Sequence, residues 1–315
     1  MKIVLAGGTG QIGRILARVR ISQGDHVVAL ARNPAPESPC RVVPWDGRTE
    51  GDWIREIDGA DVVINLAGRS VNCRYNPENR RAIIDSRVES TLVLGRAIRR
   101  ASRPPRVWLQ SATATIYAHR YDAPNDEATG ILGGTEPGVP ETWRFSVDVA
   151  NRWERALADV GTLPATRTVL LRKSMVMSPD RGGVFDVLLG LVRRGLGGRQ
   201  GNGRQFVSWI HEHDFARAIG RLIDDESLAG PVNLASPGPL PNADFMRGIR
   251  EAWGIGFGLP ATEWMMELGA IALRTETELI LKSRRVVPGR LLGAGFRFEH
   301  PEWAEAAREL CGRWK

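Results

Sequence analysis

The chain is poor in cysteine, poorer in lysine, and has no long apolar run. Cys40, Cys73 and Cys311 are the three cysteines among 315 residues. Odd in number and widely spaced, they exclude a disulfide framework and fit no metal-ligand spacing. They point instead to a reducing, cytoplasmic setting. No stretch of about 18 apolar residues occurs, which argues against a membrane-spanning helix. The first residues read as a strand running into a glycine turn, not as a signal peptide. Of 43 basic residues, Lys2, Lys173, Lys282 and Lys315 are lysine and 39 are arginine. They are interleaved with 36 acids, so the net charge of +7 comes without the like-charge block of a nucleic-acid tail. Neither nucleic acid nor membrane is expected as a partner; a mild attraction for phosphorylated ligands remains. The ten tryptophans lack a basic-aromatic stripe and read as core and pocket packing.

What is present is organised around Gly7-Gly8-Thr9-Gly10-Gln11-Ile12-Gly13. An apolar run, Lys2 to Ala6, precedes it and reads as a buried parallel strand. Ile12, Ile15, Leu16 and Val19 follow at i, i+3, i+4, i+7, one face of a helix. A glycine-rich turn between strand and helix suits a dinucleotide pyrophosphate. Gly7 permits the tight turn, Gly10 lets the backbone approach phosphate, Gly13 lets the helix pack closely, and the helix N-terminus offers N–H groups.

Further strands are expected at His26–Ala31, Arg41–Pro44, Val62–Ala67, Val107–Ser111, Thr166–Leu171 and Val232–Leu234. Helices are expected at Gly13–Ser22, Asp52–Ile57, Glu78–Arg100, Val147–Asp159 and Asp214–Ile223. Such alternation implies an α/β fold with a doubly wound parallel sheet, its ligand at the carboxyl ends of the strands. Two loops rich in glycine, Gly130–Pro140 and Gly195–Gly203, interrupt the rhythm. Pro237, Pro239 and Pro241 then punctuate the chain, and mostly helical sequence follows. Residues 1–236 therefore read as the nucleotide-binding domain, with 173–205 on the substrate side, and 237–315 as a small C-terminal domain.

The second strand ends in Arg32, about 20 residues past the turn, where NAD-binding chains place an acid on the ribose 2′-hydroxyl. An arginine there pairs with a 2′-phosphate, which favours NADP; the alternative is a solvated strand end. Asp46 either meets the adenine edge or holds the turn before Gly47.

The glycine turn, Asn65-Leu66-Ala67-Gly68 and Ser111-Ala112-Thr113-Ala114-Thr115-Ile116-Tyr117 resemble the extended short-chain dehydrogenase/reductases of the epimerase/dehydratase group. Trp153-Glu154, Gly195-Leu196-Gly197-Gly198, Gly201-Asn202-Gly203-Arg204-Gln205, Ser208-Trp209-Ile210-His211, Asp214 and the tail from Arg285-Val286-Val287-Pro288 to Phe298 resemble an atypical "epimerase family" subgroup with a short C-terminal domain of unknown function. The resemblance implies a Rossmann domain with a smaller, mostly helical substrate-side region, NADP(H) as cofactor, and a homodimer paired through the long 78–100 helix. The cofactor site it implies includes Gly7, Gly10, Gln11, Ile12, Gly13, Leu66, Ala67, Gly68 and Ser111, with Arg32 and Asp46 beside them.

The family's Tyr-x-x-x-Lys pair is absent from the expected helix. Its tyrosine position falls on Ser146, or on Phe145 with a slip of one, and its lysine position on Ala150 or Val149. Thr113 matches the family's catalytic Ser/Thr: its hydroxyl either holds a substrate oxygen or satisfies a strand-end backbone group. Tyr117 and His119 are the nearest titratable side chains in sequence and so the candidate acids, although a buried tyrosine is more often only hydrogen-bonded. Lys173 and Ser174 follow the sixth strand where relatives pass the nicotinamide; a solvated strand end is the simpler reading of Lys173. Arg87 belongs either to the site network or to the helix surface. His211-Glu212-His213-Asp214 is read as a helix start capped by Asp214, not as a metal cluster. The sequence thus predicts an NADP-dependent oxidoreductase or epimerase-like enzyme of a small, unnamed substrate, with Thr113 and Tyr117 as candidate catalytic residues. The alternative is a non-catalytic dinucleotide sensor that kept the fold and lost the pair.

Overall fold

In the computed structural model, residues 1–33, 35–262, 264–266 and 276–315 are described, without the side chain of Leu279. β1 (Lys2–Ala6) is near-continuously apolar because it is covered on both faces. It pairs in parallel with β2 (His26–Ala31) on one side and β4 (Val62–Asn65) on the other. β3 (Arg41–Pro44) extends one edge; β5 (Val107–Thr113), β6 (Arg167–Lys173) and β10 (Gly230–Leu234) extend the other. The resulting seven-stranded parallel sheet has the order β10-β6-β5-β4-β1-β2-β3. Its order reverses between β1 and β4, which opens a crevice at their carboxyl ends.

Side-chain alternation assigns each face to its own core. Ile3, Leu5, Val62, Ile64, Val107 and Leu109 pack with α1 (Gln11–Ser22) and α6 (Glu212–Asp224). Val4, Ala6, Val63 and Trp108 pack on the opposite face with Val93, Leu94 and Ala97 of α3 (Pro77–Arg100). Asn76 caps α3 by accepting the Asn79 N–H at 2.8 Å, with Pro77 next to it, and Arg99 and Arg100 close the helix at its negative end. α2 (Ile54–Ile57) is a single turn, and α4 (Glu141–Val160) lies beside α3.

The predicted strands and helices recur with shifted ends. β4 stops at Asn65 rather than Ala67, and β6 runs on to Lys173. α4 begins six residues earlier than predicted, straight after Pro140, and so includes both Phe145 and Ser146. The predicted Asp214 cap is replaced. β9 (Trp209–His211) runs directly into α6, and the His211 Nδ1 accepts the His213 N–H at 3.1 Å. Asp214 is fully buried and accepts the N–H groups of Glu299 and His300 at 2.7 and 2.8 Å.

Residues 237–315 share a core with the 175–209 segment. Met177 of β7 (Met175–Met177), Phe185 and Leu189 of α5 (Val184–Arg193), Trp209, and Phe245 and Met246 of α7 (Asn242–Trp253) bury against Trp303 and Leu310 of the last helix. Phe245 stacks on Trp303 at 4.1 Å. β8 (Phe206–Val207) pairs with β11 (Leu240–Pro241), tying the two segments together. Leu291 returns to the core of the main sheet, with Phe296 and Phe298 packed against it.

A Cβ at Gly13 would lie 2.3 Å from the Gly8 carbonyl oxygen, whereas one at Gly10 would meet only the Gly7 oxygen at 3.4 Å. Gly13→Ala is expected to cost on the order of 1–3 kcal/mol, seen as a lower urea midpoint at unchanged m-value, and Gly10→Ala distinctly less.

Candidate active site

The glycine turn presents the features that hold a pyrophosphate. Gly7 adopts φ +76°, and a Cβ there would stand 2.9 Å from the Ala67 backbone, so the first two loops touch. The α1 N-terminus has no side-chain cap, leaving its N–H groups for an anion. Gln11 Nε2 is buried without a partner among the described residues. Gly13 packs on the Gly8 backbone, tightening the turn itself.

Asn65 organises the neighbouring loop. Its amide donates to Gln110 Oε1 at 3.0 Å and its oxygen accepts the Ala67 N–H at 3.0 Å, fixing Leu66-Ala67-Gly68 above the crevice. A Cβ on Gly68 would come within 3.2 Å of the Arg87 guanidinium carbon. Arg32 is exposed just past β2 and has no ion-pair or hydrogen-bond partner among the described residues. Asp46 is engaged in its own turn: its carboxylate accepts from the Arg48 and Thr49 N–H groups and the Thr49 hydroxyl. The Thr49 hydroxyl bond foremost holds its pKa below the usual carboxylate range.

Beyond β5, a cavity of about 110 Å³ is lined by Thr113, Arg87, Tyr75, Ser146, Trp153 and Glu278, among others. Thr113 stands opposite Lys173 in the β5–β6 register. Its hydroxyl oxygen accepts the Thr115 N–H at 3.2 Å, so the backbone role is present, and the residue lines the cavity as well. Lys173 is not the solvated strand end predicted. Its Nζ donates to Ser111 Oγ at 2.7 Å and to the Ala112 carbonyl at 3.3 Å, and lies 5.5 Å from the centre of the Trp153 ring. The Arg87 guanidinium lies over the same indole at 4.9 Å. Desolvation, then repulsion from Arg87, pushes the Lys173 pKa down to about 7. Arg87 likewise belongs to the site rather than the helix surface. It donates to the Ile83 and Arg69 carbonyls, and burial lowers its pKa to about 10.

Tyr117 is placed elsewhere. Its hydroxyl donates to Asn233 Oδ1 at 2.9 Å and accepts from Arg172 at 2.9 Å, and Arg172 is held by a bidentate pair with Glu154. Burial raises the phenol pKa, and Tyr117 is absent from the cavity lining. His119 borders a second, outer cavity of about 590 Å³ with Trp143, Glu136 and Gln205. Its Nδ1 accepts the Ser283 N–H at 2.8 Å, its ring lies 4.7 Å from Trp143, and burial lowers its pKa.

His211, His213 and His300 bring a nitrogen each within 4.8 Å of one another. The His211 Nδ1 is the α6 cap, and its Nε2 meets Glu309 at 2.9 Å; burial drives its pKa down to about 4. Both His211 nitrogens are thus engaged, one in the start of α6 and the other on Glu309 of the last helix.

Sequence reasoning missed Tyr75, Glu278, Lys282 and Arg284. Glu278, 1 % exposed, bonds Arg284 at 2.6 Å through one carboxylate oxygen; the other has no partner among the described residues. Lys282 Nζ donates to the Thr115 carbonyl at 2.7 Å, and desolvation lowers its pKa to about 8. Glu278, Lys282 and Arg284 lie on a strap, 276–286, bonded to Asn125 on one side and to Phe206 and Ser208, beside the core shared by 175–209 and the C-terminal residues, on the other. The strap carries no motif of its own.

Fold and site together define a Rossmann-type protein of the short-chain dehydrogenase/reductase class. The chain belongs to the NAD dependent epimerase/dehydratase family, whose model matches residues 3–235; a domain of unknown function (DUF1731) matches residues 261–310. It is 30% identical to the cattle (Bos taurus) "Epimerase family protein SDR39U1" over 314 residues, covering 98% of this chain and 99% of that one. It is 27% identical to "Epimerase family protein YfhF" of Bacillus subtilis over 319 residues, covering 98% of each chain. The solved structure of human SDR39U1 with NADPH matches with TM-score 0.84 at 28% identity over 99% of both chains. A UDP-N-acetylglucosamine 4-epimerase from Bacillus cereus shares the fold, with TM-score 0.73 at 16% identity over 100% of this chain and 99% of that one.

Lys173 makes the protein's stability depend on pH. Its folded pKa lies below the unfolded value, so between pH 7 and 10.5 the unfolded chain holds a proton the native one lacks, and stability rises with pH across that window. Lys173→Met is expected to flatten that rise and to stabilise the protein at pH 7 by on the order of 1–3 kcal/mol, checked by urea midpoints measured along the pH series.

Proposed function

We propose that the chain is an NADP(H)-dependent oxidoreductase or epimerase-like enzyme acting on a small carbonyl or alcohol compound in a reducing cytoplasm. The observation that carries this reading is the pairing of Thr113 with Lys173 in register at the ends of β5 and β6, with Thr113 lining the cavity, on the same carboxyl edge of the sheet as the uncapped glycine turn. Gly7, Gly10, Gln11, Ile12 and Gly13 hold the pyrophosphate, with the unpartnered Gln11 amide among the donors. Leu66, Ala67 and Gly68 border the cofactor, and Asp46 stands near the adenine. Ser111 and Lys173 lie at the nicotinamide end. Arg32, exposed where an NAD-binding chain has an acid, pairs with the 2′-phosphate; the NADPH in the human relative's structure supports that preference.

Bound NADPH supplies a hydride. The Thr113 hydroxyl oxygen takes a backbone N–H on one side, leaving its own proton to donate to a substrate oxygen. Arg87 and Lys173 add positive charge where negative charge develops on that oxygen, in surroundings of low polarity where it acts most strongly. Val71, Ile83, Phe145 and Val149 keep the opposing wall apolar. The role of Tyr117 is to position the α4–β6 contact through Arg172 and Glu154.

Calorimetric titration tests the cofactor side. NADPH is expected to bind at least about tenfold more tightly than NADH, and Arg32→Glu to remove that preference while leaving NADH binding unchanged, since a hydrogen bond to a charged group contributes about 1.5–3 kcal/mol. Binding of neither nucleotide overturns the reading. Thr113→Ala is expected to lower kcat/KM for any carbonyl substrate by on the order of 10²-fold, measured as NADPH consumption.

A further inference from the structure

The helix that resemblance would equip with a catalytic tyrosine has none, yet a phenol stands beside it. We propose that Tyr75 is the proton donor of this site, delivering from the loop after β4 the hydroxyl that α4 lacks; this rests on the reductase reading above. Its ring packs edge-on against Phe145 at 4.9 Å, and Ser146 lines the same cavity. These are the two positions on which the family's tyrosine would fall. Tyr75 lines the same cavity as Thr113 and Arg87. The other tyrosines are excluded by placement: the Tyr117 hydroxyl is bound in the Asn233–Arg172 network, and Tyr121 lies at the outer cavity.

The loop holds Tyr75 firmly. Its N–H donates to Glu276 Oε1 at 2.8 Å, and Arg74 pairs with the same carboxylate at 3.4 Å. Tyr75 is 7 % exposed, so its hydroxyl works out of bulk water. Burial, then the Glu278 carboxylate, raises its pKa to about 12, keeping the phenol protonated at neutral pH.

In the step proposed, the carbonyl oxygen accepts hydrogen bonds from Thr113 and Tyr75. The carbonyl carbon receives the hydride and the C=O π pair moves onto oxygen. The Tyr75 O–H bond breaks and its proton joins that oxygen, giving the alcohol. Arg87 faces the phenolate left behind, which is reprotonated from water. One hydride and one proton convert R₂C=O to R₂CHOH.

The test uses isobutyramide, an unreducible carbonyl analogue small enough for the inner cavity, titrated into the full-length protein saturated with NADPH and followed by tryptophan fluorescence. The wild type is expected to bind it, and Tyr75→Phe to weaken binding by at least about fivefold with the NADPH Kd within twofold, the loss of one hydrogen bond. Ser146→Ala, which alters the neighbouring wall without removing the phenol, is expected to retain binding. Equal affinity in Tyr75→Phe and wild type overturns Tyr75 as the donor. NADPH binding without any isobutyramide binding by the wild type overturns the carbonyl reading of the cavity beneath it. In parallel, Tyr75→Phe is expected to reduce 2,3-butanedione at least about 10²-fold more slowly. Unchanged reduction likewise overturns the assignment.

Discussion

Between Gly8 and Gly13 there is no room for a methyl group, and the ligand edge is built on that approach. It holds the start of α1 against the turn, so the helix N-terminus opens into the crevice between β1 and β4. Gly7 in turn presses on the backbone of Ala67, and Ala67 is held by the amide of Asn65, itself bonded to Gln110 on the next strand. A chain of backbone contacts and side-chain amide bonds thus runs from the first loop to β5, the strand that ends at Thr113. Each link depends on an absent side chain or on one fully buried amide.

The chain's reliance on arginine gives its few lysines a distinct place. Lys2 and Lys315 sit at the termini, on Glu56 and near Trp253. The other two, Lys173 and Lys282, are both at the candidate site. An arginine buried there stays charged: Arg172 is paired with Glu154 and Arg284 with Glu278, while Arg87 rests on backbone carbonyls. A lysine can surrender its proton to escape the desolvation penalty. The site therefore pairs fixed positive charge with positive charge that responds to its surroundings.

Much of the fold and the cofactor edge was legible in the sequence because the determining residues are neighbours in the chain. The glycine turn, the Asn65 loop and the Thr113 strand end each act within a few residues. The region from 175 onward was read only in outline, because β7 to β9 are too short to alternate. The candidate site was legible only in part. Tyr75 gains its place from Glu276, 201 residues away, and no spacing rule connects them. Tyr117 lies near Thr113 in sequence, yet Arg172 and Asn233 take its hydroxyl into the core. Lys173 at a strand end suggested solvent, but Ser111 and Trp153 cover it. The α6 cap fell to His211 rather than Asp214 because a strand runs directly into the helix and leaves Asp214 inside the first turn.

The strap at 276–286 reaches its place late in the chain, bringing Glu278 to a cavity whose other lining residues, Val71 to Trp153, all lie in the first half. During synthesis the glycine turn and the Asn65 loop therefore emerge long before the last wall of that cavity. A chain cut short before the strap would keep both loops and lack Glu278, and the cavity would stand open on the side the strap closes.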